Sequence, residues 1–136
     1  MSFKTELCLK VIGDQAYEVM SPLVYNNGIK QVTVHKGFDF DGASIPRPLW
    51  GIVGSPMTDG YQRAGCLHDA LYASQLFPRE ICDLYFLEAM KADKVGYFKR
   101  YTMYWAVRAF GGSSYENGNK EEVNAYRKLV KCISFV

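Results

Sequence analysis

Between Gly37 and Asp59, Gly37, Gly42, Pro46, Pro48, Gly51, Gly54 and Pro56 recur too often for any regular element of useful length. This stretch divides the chain into two halves with different periods. Before it, apolar residues alternate as in strands: Leu7, Leu9 and Val11, a turn at Gly13-Asp14-Gln15, then Tyr17 and Val19. Pro22 suits an edge or a break, Asn26-Asn27-Gly28 is a turn signal, and Val32 and Val34 begin a further strand. The expectation is a small antiparallel sheet over residues 3 to 36. A long irregular segment behind it needs a reason, and loops carry sites.

After the break the period becomes helical. Thr58 or Asp59 can cap a helix running to about Ser74, and Phe77-Pro78-Arg79-Glu80 opens a second, with proline near its first position. The second helix is expected to run to about Ala92 and to use Ile81, Leu84 or Tyr85, Leu87 or Glu88, and Met90 as its apolar surface. Gly96 separates it from a third helix, Tyr97 to Phe110, ended by Gly111-Gly112; a loop, Ser113 to Gly118, and a short charged helix from about Asn119 to Cys132 follow. The class is therefore α+β. It comprises a small N-terminal antiparallel sheet, a Gly/Pro-rich loop, a helical hairpin, a third helix and a short C-terminal helix. With 136 residues, 49% of them hydrophobic, the expectation is a single domain over residues 1–136.

A short link makes the first two helices neighbours, and this gives the sequence its candidate chemistry. His68 and Asp69 sit side by side in the apolar segment Ala64-Gly65-Cys66-Leu67-His68-Asp69-Ala70-Leu71-Tyr72. In the hairpin His68 can meet Asp83. A carboxylate on one ring nitrogen fixes the tautomer and leaves the other nitrogen to take a proton from water. Asp69, about 100° further round the helix, can offer oxygen to a hard cation such as calcium, together with carbonyls or Asp41 from the glycine-containing loop. Each residue also has a plainer use. A histidine in a helix is commonly a hydrogen-bonded structural residue, Asp-Gly is common in turns, and Asp83 suits an early helical turn. Cys66 lies on nearly the opposite face from His68 and is a poor catalytic partner for it.

Composition narrows the classes. Sixteen basic and 14 acidic residues, spread along the chain, give +2, and no basic run marks a nucleic-acid partner. No apolar run approaches the roughly 20 residues of a membrane span, and the first residues lack the pattern of a secretion signal. The expectation is synthesis in the cytoplasm, with export through a lysis system or incorporation into a particle left open. Cys8, Cys66, Cys82 and Cys132 form neither a CxxC pair nor zinc-ribbon spacing and are expected to be buried free thiols. The third helix, with Tyr97, Tyr101, Met103, Tyr104 and Trp105, has more apolar surface than one small sheet needs; it serves either the core or an interface.

Three segments, Gly37-Phe38-Asp39-Phe40-Asp41-Gly42-Ala43-Ser44-Ile45-Pro46-Arg47, Ala64 to Tyr72, and Met103-Tyr104-Trp105-Ala106-Val107-Arg108, resemble a family of small proteins of tailed phages and prophages, domain of unknown function 1353. The resemblance spans about Val32 to Gly111 and implies a phage origin without an activity. A more distant resemblance joins Asp41-Gly42-x-Ser44-x-Pro46, His68-Asp69-x-x-Tyr72 and Arg79-x-x-x-Asp83-x-x-Phe86-x-x-x-Met90 to the calcium loop and paired helices of secreted phospholipases A-two. It implies His68 as general base, Asp83 as the group orienting it, Tyr72 as support, and Asp69 and Asp41 as calcium ligands, calcium being favoured over zinc. Those enzymes carry a cysteine three residues before the histidine, where this chain has Gly65. The expected function is a phage hydrolase acting on lipid or cell-envelope esters or amides. Its alternatives are a tail, baseplate or assembly component whose partners are other phage structural proteins, and a host-defence antagonist. Nothing in the residues sets an assembly state.

Overall fold

The structure, a computed structural model, describes residues 2–14, 16–40, 61–116 and 118–135. Asp41, Thr58, Asp59 and most of the Gly/Pro-rich segment lie outside them. The strands are β1 Ser2–Phe3, β2 Leu9–Gly13, β3 Ala16–Val19, β4 Leu23–Asn26, β5 Lys30–Val34, β6 Asp39–Phe40 and β7 Val130–Ser134. The helices are α1 Gln62–Ser74, α2 Arg79–Ala92, α3 Tyr97–Phe110, α4 Gly112–Glu116 and α5 Lys120–Arg127. The α+β class and the sheet-then-helices order follow the sequence reading.

The β region differs from the single expected sheet. One antiparallel sheet has the order β1-β4-β5-β7 and a second the order β2-β3-β6. The β4–β5 hairpin is built by its turn residues: Asn27 Oδ1 accepts from the backbone N–H of Ile29 at 2.9 Å and Lys30 at 2.7 Å, and Gly28 supplies φ +88°. Alternation then sends Leu23 and Tyr25 of β4, and Val32 and Val34 of β5, into the core. The helix expected from about Asn119 to Cys132 is present as α5, but it stops at Arg127, and β7 takes the end of that stretch from Val130 on. It pairs with β5 from Val34↔Val130 to Lys30↔Ser134, because β5 would otherwise leave a ladder of backbone groups unpaired on that side. The expected loop over Ser113 to Gly118 is largely the short helix α4.

The helical half follows its punctuation. α2 starts directly after Pro78 and α3 directly after Gly96, as expected. α1 begins at Gln62, with Tyr61 at its N-cap and no side-chain cap. It ends on Gln75 in the left-handed region, where Arg127 of α5 donates to the carbonyls of Ser74 at 2.8 Å and Gln75 at 3.0 Å. The buried face of α2 contains the expected Tyr85 and Met90 but departs from the rest of the expected surface. Cys82, Asp83, Tyr85, Phe86, Ala89 and Met90 face inward, while Ile81 and Leu84 face out, because α2 packs on both α1 and α3 and turns its carboxylate into the contact.

One apolar cluster draws on both sheets and the three long helices, joining Tyr25, Val32 and Val34 to Leu67, Leu71, Phe86, Met90 and Met103. Tyr25 pins α2 to the sheet, donating to Glu88 at 2.6 Å, and its ring packs tilted against Phe3. All four cysteines are free thiols, but only Cys66 and Cys82 are buried; Cys8 and Cys132 are exposed, on strand or strand-flanking positions that face away from the core. Among the described residues no helix is long and apolar enough to cross a membrane.

Candidate active site

The four-residue link from Gln75 to Pro78 folds α2 back along α1. The pairing runs from Arg63, which forks onto Asp93 at 2.6 and 3.1 Å, to His68, which meets Asp83. The Asp83 carboxylate, with no exposed side-chain surface, is the hub. His68 Nε2 lies 2.7 Å from Oδ1, the Tyr72 hydroxyl donates to the same oxygen at 2.6 Å, and Arg108 Nη1 from α3 donates to Oδ2 at 2.7 Å. An ionised carboxylate only accepts, so the ring carries its hydrogen on Nε2. His68 Nδ1 then faces Asp69, whose Oδ1 is 3.9 Å away.

The surroundings fix this arrangement. The His68 ring is 1% exposed and packs on Tyr72 at 4.2 Å and Phe86 at 4.6 Å between centroids. Arg79 donates from Nε to the Tyr72 hydroxyl at 3.3 Å and from Nη2 to the carbonyls of Val107 and Arg108 at 2.8 and 2.6 Å, closing the C-terminal end of α3. Gly111 is required here by space: a Cβ would stand 2.6 Å from the Val107 carbonyl and 2.9 Å from the Tyr72 hydroxyl. Among the described residues no buried side-chain nitrogen or oxygen lacks a partner.

Electrostatics follow from burial and charge. Burial pushes the His68 pKa down, but hydrogen bonding and attraction from Asp69 and Asp83 outweigh it and hold the imidazolium form above its ordinary 6.5. Burial raises Asp83, and the opposing donors His68, Tyr72 and Arg108 win, leaving it below its ordinary 3.8. Burial and then the Asp83 hydrogen bond raise Tyr72, so its hydroxyl stays a donor. Burial first and Asp69 second lift the Cys66 thiol well above its usual range; burial pushes Cys82 up to about 12.

Of the five residues singled out from sequence, the structure brings together His68, Asp83 and Tyr72, sets Asp69 beside them with an 11% exposed side chain, and does not describe Asp41. Arg108 and Arg79 were given no part in the site, and Gly111 only the ending of α3, where it does stand as the C-cap. Arg79 stands four residues before Asp83 on one helical face, a signal open to a sequence reader; Arg108 becomes visible only once α3 is docked. Among the described residues no three of His, Cys, Asp and Glu gather as a metal site. A cavity of about 210 Å³, lined by Ile12, Ala16, Asp39, Phe40 and Tyr126, lies apart from the Asp83 hub.

The family described as "Protein of unknown function (DUF1353)" matches residues 17–107, which take in the whole of α1 and α2. The chain belongs to the DUF1353 family. Two relatives come from Sinorhizobium fredii (strain NBRC 101917 / NGR234). "Uncharacterized protein y4jT" is 38% identical over 87 residues, covering 62% of this chain and 25% of that protein. "Uncharacterized protein y4iH" is 36% identical over 85 residues, covering 62% of this chain and 35% of its own length. This DUF1353 chain thus aligns with a quarter to about a third of those relatives. No solved structure matches it at a significant level.

Proposed function

We propose that this DUF1353 chain is a phage-encoded hydrolase of lipid or cell-envelope esters or amides, with His68 as general base. One observation carries the reading: Asp83 Oδ1 takes both His68 Nε2 at 2.7 Å and the Tyr72 hydroxyl at 2.6 Å, which fixes the ring with Nδ1 toward Asp69. The same order and roles are implied by the resemblance of His68-Asp69-x-x-Tyr72 and Asp83 to secreted phospholipases A-two. Nδ1 takes a proton from water as its oxygen attacks the acyl carbon; Asp83 steadies the imidazolium, which returns the proton to the departing alkoxide or amine. The phage origin is supported by the resemblance of the segments from Gly37, Ala64 and Met103. With it go synthesis in the host cytoplasm and an envelope substrate as partner.

Calcium belongs to the same proposal, at Asp69 with Asp41, and zinc is the poorer candidate. Calcium takes six to eight oxygens. The described residues offer one suitable carboxylate, Asp69, because Asp83 is consumed by its three donors, so the proton transfers assigned above rest on His68, Asp83 and Tyr72, while a cation held at Asp69 would supply positive charge for the developing oxyanion. The test is calorimetric titration of calcium and zinc into wild type and Asp69→Asn, followed by hydrolysis of phospholipid and short-chain esters. Heat and turnover in wild type, both lost in Asp69→Asn, and turnover reduced about 10²–10⁴-fold in His68→Gln, are expected. Absence of both heat and turnover in wild type overturns the reading.

A second reading is favoured by the burial of His68 and the complete pairing of its network. On it the cluster locks α1, α2 and α3 together, and the chain is a non-catalytic tail, baseplate or assembly component. Recovery of the protein in purified particles, without turnover, selects it.

A further inference from the structure

α3 is apolar on both sides. Its inward arc buries Met103, Ala106 and Val107, whereas Tyr97, Phe98, Tyr101 and Trp105, at positions that share an arc of about 100°, line the other side. Of the aromatic residues expected to serve core or interface, Tyr97 is 71% and Trp105 63% exposed, and Phe98 beside them is 82% exposed, so this face does not fill the core. An aromatic arc left in water opposite a buried one calls for a second contact.

The charges around this face select the contact. From Lys91 to Phe110 the chain carries five cations, Lys91, Lys94, Lys99, Arg100 and Arg108, against one acid, Asp93; Asp93 is held by Arg63 and Arg108 by Asp83, which leaves Lys91, Lys94, Lys99 and Arg100 to set the charge. Lys91 and Lys94 are exposed, and the Arg100 guanidinium lies over the rings of Tyr97 and Tyr101 at 5.4 and 5.7 Å, within the aromatic surface itself. A two-fold pair of such faces would set the same cations against each other. An anionic bilayer meets both features, since Trp and Tyr favour the headgroup level and Lys and Arg pair with anionic lipids.

We infer that the outer face of α3, centred on Phe98 and Trp105 and flanked by Lys94 and Arg100, docks the protein on an anionic lipid surface. This deepens the proposed lipid-directed activity and rests on that reading for its substrate, but it is tested by binding, so the two fail separately. The experiment is co-sedimentation with vesicles of phosphatidylglycerol and phosphatidylcholine, against phosphatidylcholine alone, at low and high salt. Expected are binding to the anionic vesicles, weakening with salt, and at least about a tenfold rise in the lipid needed for half-binding in Phe98→Ser/Trp105→Ser. Both side chains are largely in water, so this variant should keep the wild-type melting temperature and its turnover of a soluble short-chain ester. No binding to anionic vesicles, binding unchanged in the double variant, or a dimer in sedimentation velocity that the double variant dissolves would each overturn the inference. Binding retained by a protein without esterase turnover supports it while removing the hydrolase.

Discussion

Replacing Asp83 by Asn tests the hub of the molecule. The carboxylate accepts from His68, Tyr72 and Arg108 at 2.6 to 2.7 Å. Asn keeps one accepting oxygen and gains a donor. The better of its two orientations keeps His68 and Tyr72 on the oxygen and turns its NH₂ toward Arg108, donor against donor. Breaking a buried charge pair costs about 3–5 kcal/mol. Arg108 retains 25% side-chain exposure and can turn to water, so we expect the lower end, about 3 kcal/mol, and a fall in Tm of roughly 10 °C. The pH dependence should change as well. With the His68 pKa raised, its contribution is complete below its ordinary 6.5 and is lost as pH rises through the raised folded value. With the Asp83 pKa lowered, its contribution is complete above its ordinary 3.8 and is lost as pH falls through the lowered folded value. The network therefore stabilises most between those two ordinary values, and wild type should weaken on the alkaline side. Urea unfolding from roughly pH 5 to roughly pH 9 should show that decline in wild type and a shallower one in Asp83→Asn. A loss under about 1 kcal/mol, or two curves with the same alkaline slope, would refute the reasoning.

Gly111→Ala drives a methyl group against the Val107 carbonyl and against a Tyr72 hydroxyl pinned by Asp83 and Arg79; a loss of about 2–3 kcal/mol is expected in a thermal melt, and a change within 0.5 kcal/mol would contradict it. Asn119 caps α5 by accepting from the Glu122 N–H at 2.8 Å, so Asn119→Ala should cost about 1 kcal/mol in urea unfolding while Asn119→Asp stays near wild type.

What the sequence disclosed tracks where local chemistry is strong. Asn26-Asn27-Gly28, Pro78 and Gly96 mark boundaries because each acts on its own backbone, and α3 lies where its punctuation put it. β7 was missed because Val130-Lys131-Cys132-Ile133-Ser134 is too short to separate from a helix end by period, and its strand form is settled by β5, far away in sequence. The division into two sheets depends likewise on β6 pairing with β3, two residues past Gly37 with its φ of +100°. The face of α2 was right at Tyr85 and Met90 and wrong at Ile81 and Leu84, because Asp83 counts as polar in a periodicity reading and yet sits at the centre of the buried arc. The His68–Asp83 meeting was legible from a short link and a shared mid-helix position, whereas Arg108 required knowledge of how α3 docks. The expectation that all four thiols are buried failed because the positions of Cys8 and Cys132 depend on sheet facing.

The late arrival of β7 has a bearing on biosynthesis. β5 has β4 on one side at once, but its other edge is completed only about a hundred residues further along the chain. At ribosomal speeds of roughly 5–20 residues per second, that edge waits on the order of 5–20 s with its ladder open. A nascent chain in this interval presents a pairing template to any neighbouring copy, so a crowded polysome is the place where this protein is most exposed to strand exchange and clumping.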